Sequence, residues 1–233
     1  MDKIDIVLAT CDRLKLLRRT LKSIWHNTRT PYRLHVIDDA STEGNQVYLR
    51  RLLAMKKIDS LLEHPNRLGV AANLRQIHDL TVSDLVIYCD DDQLCPHIEP
   101  DWLRRLLAEM QARPKQAILS LNNPHGNMGG DKRRKLGVDG NVTFCRKSGG
   151  SYMCIRRELL PHIVPPDGIQ SPVSWMCLRA RKLGWQTGYL THTYCQHIGT
   201  HSLRWKNKDL SEEIALLKPV DSNTLEPPKE YRE

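Results

Sequence analysis

The chain lacks several features, and each absence excludes a class of protein. No apolar run approaches the roughly 20 residues that a bilayer-crossing helix needs. There is no G-x-x-x-x-G-K-[ST] loop, no G-x-G-x-x-G after the first apolar segment and no G-x-S-x-G elbow. P-loop NTPases, dinucleotide-binding Rossmann domains and serine hydrolases of the elbow type are thereby excluded. No internal repeat or low-complexity tract occurs. Phenylalanine appears once, so five tryptophans and seven tyrosines supply the aromatic surfaces. The seven cysteines are odd in number and scattered, without a C-x-x-C pair. Such thiols are expected to stay free in a reducing compartment. The opening MDKIDIVLATCDR carries acids, and its apolar run is too short for a signal peptide. A cytoplasmic chain without a transmembrane segment is the expectation. The groups Cys89, Cys95, His97 and Cys195, His197, His201 match no closed zinc spacing.

What is present is a chain of 233 residues, long enough for one substantial core. It carries 35 basic against 27 acidic residues, a formal +8 that favours anionic partners. Strand and helix patterns alternate through the first half. Ile4–Ala9 is a short apolar run fit for a buried strand, and Leu14, Leu17, Leu21, Ile24 and Trp25 then recur at helical spacing. Leu34–Ile37 reads as a strand, Val47–Met55 as a helix, Ile58–Leu62 as a strand and Val70–Leu80 as a helix. Leu85–Tyr88 and Ala117–Leu121 read as strands on either side of a helix over Asp101–Met110. This alternation predicts an α/β fold with a mostly parallel, Rossmann-like sheet sandwiched by helices.

In the second half, 122–141 is polar, Gly-rich and basic, and predicts a long loop. A strand passing into a helix follows from Gly149-Gly150. Ser171–Leu183 reads as a helix capped at Gly184, and Trp185–Leu190 as a strand. The expected organisation is a nucleotide-binding α/β half over 1–121, an acceptor-side half of the same domain over 122–205, and an extension or tail over 206–233.

The chemistry concentrates where the predicted strands end. Ligands of such sheets bind beyond the carboxyl ends of the strands, and Thr10, Asp39 and Asp90-Asp91-Asp92 all fall there. Three consecutive carboxylates repel one another at neutral pH, so a positive group must offset them. Hard divalent cations take carboxylate oxygens and leave positions open for phosphate. An isolated acidic triplet has another common use, as a turn or a helix N-terminal cluster.

Context adds to the triplet. Asp38-Asp39-Ala40-Ser41-Thr42 ends the second strand, and Leu8-Ala9-Thr10-Cys11-Asp12-Arg13 ends the first. Asn66, Gly69 and Asn73 follow at a fixed spacing. Pro96 and Asp101-Trp102-Leu103 succeed the acids, and Gly149-Gly150 with Ile155-Arg156-Arg157-Glu158 comes later. In this order the blocks resemble a family 2 glycosyltransferase with the GT-A fold, over residues 3 to 200. The resemblance implies a metal-dependent transfer from a nucleoside diphosphate sugar, a UDP-sugar being favoured, with Mn²⁺ or Mg²⁺ as cofactor. It implies that Thr10 and Asp39 bind the base, Asp39 accepting an imide N–H, and that Arg13 and Arg67 serve the nucleotide sugar. Asp90 would stand near the ribose or just behind the metal's ligands and Asp92 would ligate the metal, while Asp91 can take either place. His197-Ile198-Gly199 looks like the element that brings a histidine to the metal, with His201 and Ser202 as further candidates toward phosphate.

Two departures stand out. Asp12 occupies a position where Asn is usual. The Glu-Asp pair of inverting members is replaced by Pro172-Val173, leaving Asp167 as the nearest acid able to serve as general base. The expected acceptor is a hydroxyl of a glycan, of a lipid-linked saccharide or of a hydroxylated DNA base. Two other readings are a sugar-phosphate nucleotidyltransferase and a non-enzymatic basic nucleic-acid-binding module. The first lacks its Gly-rich basic loop after the first strand, and the second lacks any RNP, helix-turn-helix or zinc-finger signature.

Overall fold

A computed structural model describes residues 2–123, 135–169 and 171–199. Lys132, Arg133 and Arg134 of the basic 122–141 segment, His201, Ser202 and the 206–233 extension lie outside the described residues.

The first half alternates as its periodicity dictates. The elements are β1 (Ile4–Thr10), α1 (Leu14–Asn27), β2 (Tyr32–Asp38), α2 (Glu43–Ala54), β3 (Ser60–Glu63), α3 (Val70–Leu80) and β4 (Leu85–Asp90). A two-residue strand β5 (Gln93–Leu94) follows, then α4 (Trp102–Ala112) and β6 (Gln116–Asn122). The second half holds β7 (Lys135–Asp139), β8 (Val142–Cys145), β9 (Met153–Arg156), α5 (Leu160–Ile163), α6 (Pro172–Lys182), β10 (Gln186–Tyr194) and β11 (Gln196–His197).

Nine strands form one sheet in the order β3-β2-β1-β4-β9-β6-β10-β8-β7, and β11 pairs with β5 in a separate ladder. Strands β3, β2, β1 and β4 are mutually parallel. Strand β9 runs antiparallel between β4 and β6. Strand β10 is parallel to β6 and antiparallel to β8, so the later strands extend the same sheet. This is the α/β sandwich that the alternation predicted.

Each face of the sheet has its own core. Helices α1, α2 and α4 cover one face, burying Leu17, Leu21 and Ile24, then Leu49 and Leu52, then Trp102, Leu103, Leu106, Leu107 and Met110. Helices α3, α5 and α6 cover the other with Leu74, Ile77, Leu160, Ile163, Met176, Cys177 and Ala180. Each buried aliphatic side chain contributes about 1.5–3 kcal/mol before chain entropy is charged against it. Helix α4 starts where Asp101 caps it, its Oδ1 accepting from the Leu103 and Arg104 amides at 3.0 Å. Helix α6 stops before Gly184, whose φ of +83° suits the left-handed position after a helix.

One expectation is corrected. The 122–141 segment is not loop throughout: Lys135–Asp139 forms the edge strand β7, paired antiparallel with β8. Every residue of β7 is exposed, so it carries no burial pattern to distinguish it from a polar loop.

Candidate active site

The site is built at the carboxyl ends of β1, β2 and β4. Thr10 closes β1, and its backbone carbonyl accepts from the Asp39 amide at 2.9 Å, drawing β1 and the β2 exit together. Its hydroxyl donates to Asp91 Oδ2 at 2.6 Å, drawing in the exit of β4. Asp12 stands at φ +55°, in the left-handed region that Asn and Asp tolerate better than other side chains. There its carboxylate accepts from the Thr42 amide at 2.6 Å and from Arg67 at 2.9 Å. Asp at this position, in place of the usual Asn, thus suits the backbone and pairs with a nearby cation.

Asp39 is buried and well supplied with donors. Its Oδ1 accepts from the Leu68 amide at 2.7 Å and faces His64 Nδ1 at 3.1 Å, while Oδ2 accepts from the Gly69 amide at 2.8 Å. The carboxylate therefore fixes the loop that leads into α3. A carboxylate offers about four lone-pair positions, so one remains, on Oδ2, for a further N–H.

The three consecutive aspartates do not act as one cage. Asp90 Oδ1 accepts from the Tyr88 hydroxyl at 3.2 Å. Asp91 is fully buried and ion-paired with Arg13. Arg13 also reaches Asp92 Oδ2, at 2.5 Å. One guanidinium thus bridges two neighbouring carboxylates, and it supplies the positive charge that their crowding requires. Burial pushes the Asp91 carboxyl up to about 6, with Arg13 opposing and the Asp92 charge assisting. Burial and the Asp92 charge raise Asp90 in the same way. Burial alone would lower the Arg13 pKa, but the three acids outweigh it and hold the guanidinium charged.

Asp92 faces a second group. His197 belongs to β11, whose pairing sets His197 opposite Gln93, one residue beyond Asp92. The Ile198 amide donates to the Asp92 carbonyl at 2.8 Å. His197 Nε2 lies 3.4 Å from Asp92 Oδ1, and that oxygen is buried without a hydrogen-bond partner among the described residues. Two ligands on adjacent octahedral positions, each about 2.1 Å from the metal, lie about 3 Å apart. The Asp92–His197 pair therefore fits one small divalent cation. Among the described residues no three His, Cys, Asp or Glu side chains converge on a point. The pair would supply two ligands to such an ion, and Mg²⁺-type sites take the rest from water and substrate phosphate.

Two contributors escape sequence reasoning. A Cβ on Gly199 would lie 2.8 Å from Asp92 Cβ and Cγ and nearer still to its Oδ2, so only glycine fits against this carboxylate. Thr20 accepts from the Gln93 amide at 3.2 Å and donates to the Asp91 carbonyl at 2.8 Å, fixing the acidic turn from α1. A polar residue inside the Leu17–Leu21–Ile24 stripe was the available signal for Thr20. Nothing local to Gly199 announced its partner.

Asp167 lies apart from the acids, on an open groove of about 500 Å³ lined by Leu68, Gly69, Val70, Asp167, Gly168 and Pro172. Its side chain is 88 % exposed and ion-paired with Arg75 of α3. Gly69 links the two regions, since its amide holds Asp39 and its backbone lines this groove. Thr10, Arg13, Asp91, Asp92 and His197 are thus joined by direct contacts. Asp39 joins them through its amide on Thr10, whereas Arg67 pairs with Asp12 and Asp167 lies on the groove.

A mostly parallel sheet with acids at its strand ends and a histidine facing them, beside a groove between two helix starts, is an α/β architecture of the GT-A type. The family model for glycosyl transferase family 2 matches residues 5–180, and the chain belongs to that family. Solved structures agree in fold. A mannosyltransferase, PcManGT from Pyrobaculum calidifontis in complex with GDP-Man and Mn²⁺, superposes with a TM-score of 0.69 at 19 % identity, covering 84 % of this chain and 56 % of that one. S. aureus TarS 1-349 in complex with UDP-GlcNAc gives 0.66 at 14 % identity, covering 91 % and 63 %. GalNAc-T7 with UDP, GalNAc and Mn²⁺ gives 0.64 at 13 % identity, covering 84 % and 44 %. This chain therefore spans less than two thirds of each.

Proposed function

We propose that the protein is a metal-dependent glycosyltransferase that moves a sugar from a nucleoside diphosphate sugar to an acceptor hydroxyl. The observation that carries this reading is the facing pair of Asp92 Oδ1 and His197 Nε2, 3.4 Å apart at the strand ends. Membership of glycosyl transferase family 2 supports it, as do similar structures solved with GDP-Man, UDP-GlcNAc and Mn²⁺.

Asp92 and His197 would hold Mn²⁺ or Mg²⁺, whose role is to neutralise the diphosphate leaving group as the glycosidic bond breaks. The other roles belong to the chain. Arg13 keeps Asp91 and Asp92 compatible in one turn and places a second cation beside the diphosphate. Asp39 keeps a lone pair on Oδ2 for an imide N–H, which favours a uracil base and hence a UDP-sugar donor. The hydroxyl of Thr10 and the guanidinium of Arg67 bound this base subsite, and Asp90 bounds the ribose side. Asp167, exposed on the groove, takes the proton of the acceptor hydroxyl. The acceptor is a glycan, a lipid-linked saccharide or a hydroxylated DNA base.

Incubation with a panel of nucleotide sugars and Mn²⁺, followed by assay of nucleoside diphosphate release, tests this reading. UDP release that is lost with EDTA and with Asp92→Ala is the expected result. Turnover that survives both treatments removes the metal from the mechanism. Pyrophosphate as the product reassigns the protein to nucleotidyl transfer.

A further inference from the structure

The helix layer over one face of the sheet carries a surface that donor chemistry does not explain. Helix α1 contains Lys15, Arg18, Arg19 and Lys22 and no acid. Lys15, Arg18, Lys22 and His26 are exposed, and their spacing sets them in one row along the helix, about 16 Å long at 1.5 Å per residue. The neighbouring α2 extends this surface: Arg18 stacks on Tyr48 of α2, its guanidinium 4.8 Å from the ring centroid. Beyond Tyr48, Arg51, Lys56 and Lys57 are exposed. Among the described residues none of these lysines and arginines forms an ion pair. Three exposed acids flank the surface: Asp12, before α1 and paired with Arg67, Glu43, at the start of α2, and Asp59, whose carboxylate accepts from the Leu34 amide at 2.8 Å. Arg50, between the last two, is paired with Glu63.

Apolar side chains stand among these cations. Val47 is 56 % exposed and Met55 53 %, on α2 and the residue after it, within about 100° of Tyr48 around the helix. A polyanion such as duplex DNA neutralises the cations but gives these aliphatic groups nothing to bury against. The interface of an anionic bilayer satisfies both, with headgroup charge for the lysines and arginines and the acyl boundary for Val47 and Met55.

We infer that the α1–α2 face docks on an anionic lipid bilayer. The row begins two residues after Arg13, which contacts the catalytic acids, so docking places the active-site rim beside the membrane surface. The inference is independent of the donor reading, because it concerns a surface that contains none of the proposed catalytic or donor-binding residues.

Sedimentation of the full chain with vesicles tests it. Vesicles of phosphatidylcholine with about 30 mol% phosphatidylserine, near physiological salt, are expected to bind the protein, and pure phosphatidylcholine vesicles are not. Replacing Lys15, Arg18 and Lys22 together by Gln lowers the affinity on the order of 100-fold, since each cation near such a surface contributes about a factor of 5. A second variant, Val47→Ser with Met55→Ser, weakens vesicle binding several-fold and leaves any binding to duplex DNA unchanged. Circular dichroism and melting curves establish that both variants are folded. Equal sedimentation of the Lys15/Arg18/Lys22 variant, no sedimentation of the wild type, or tighter binding to duplex DNA than to the anionic vesicles at the same salt would each overturn the proposal.

Discussion

Replacing Gly199 by alanine tests how Asp92, the proposed metal ligand, is held. The added Cβ would stand 2.8 Å from Asp92 Cβ and Cγ, about 1 Å inside the 3.5–4.0 Å at which carbon atoms attract. Asp92 cannot simply turn away, because Arg13 holds its carboxylate and the Ile198 amide holds its carbonyl. The strain must move either the acid or the β11 exit by about 1 Å, at about 1–3 kcal/mol. For a domain of this size that lowers the melting temperature by roughly 2–10 °C. A 1 Å error in a ligand position costs on the order of 100-fold in turnover. Manganese titration followed by electron paramagnetic resonance reads the affinity directly, and a thermal melt reads the strain. Gly44→Ala is the control, since a Cβ there meets nothing within 4 Å. A Gly199→Ala protein with unaltered melting temperature and manganese affinity would refute the claim that close approach to Asp92 fixes the metal shell.

Three further outcomes are expected. Arg13→Gln removes the only cation that bridges Asp91 and Asp92 among the described residues; breaking such a buried pair costs about 3–5 kcal/mol, and added Mn²⁺ raises the melting temperature more in this variant than in the wild type. Asp5, buried at the start of β1, is subject first to burial, which raises its pKa, but bonds from His35, Arg33, Ser83 and Val82 outweigh this and hold it well below the carboxylate range. Because the folded pKa is depressed, its contribution is present above about pH 4, the unfolded value, and is lost as pH falls through the folded value; Asp5→Asn should cost about 2–3 kcal/mol at pH 7 and progressively less below pH 4 in denaturant titrations. Asp167→Asn should lower kcat by about 10²–10⁴ with the donor KM unchanged, and an unaltered kcat would remove Asp167 as the base.

Much of this was legible before any coordinates. Alternating periodicities gave the parallel half of the sheet, and the rule that ligands bind beyond strand ends brought Thr10, Asp39 and Asp90 to Asp92 together. Pairings that depend on long separations were not legible. Arg13 and Asp92 are 79 residues apart, and nothing local to either names the other. The donors to Asp39 are largely backbone amides, which sequence does not distinguish from any others. Strands β5 and β11 are two residues each, too short to hold a period. Lys135–Asp139 mixes glycine and charge with no buried residue, which is how a loop reads.

The short β5–β11 ladder has a consequence for the order of assembly. His197 and Gly199 follow residue 180, where the family match ends, so the acids are made about a hundred residues before the histidine that faces them. During synthesis the guanidinium of Arg13, made earlier still, is the counter-charge already available to them. The amino-terminal half thus contains both the acidic turn and the guanidinium that neutralises it, and the chain returns to that turn only with β11.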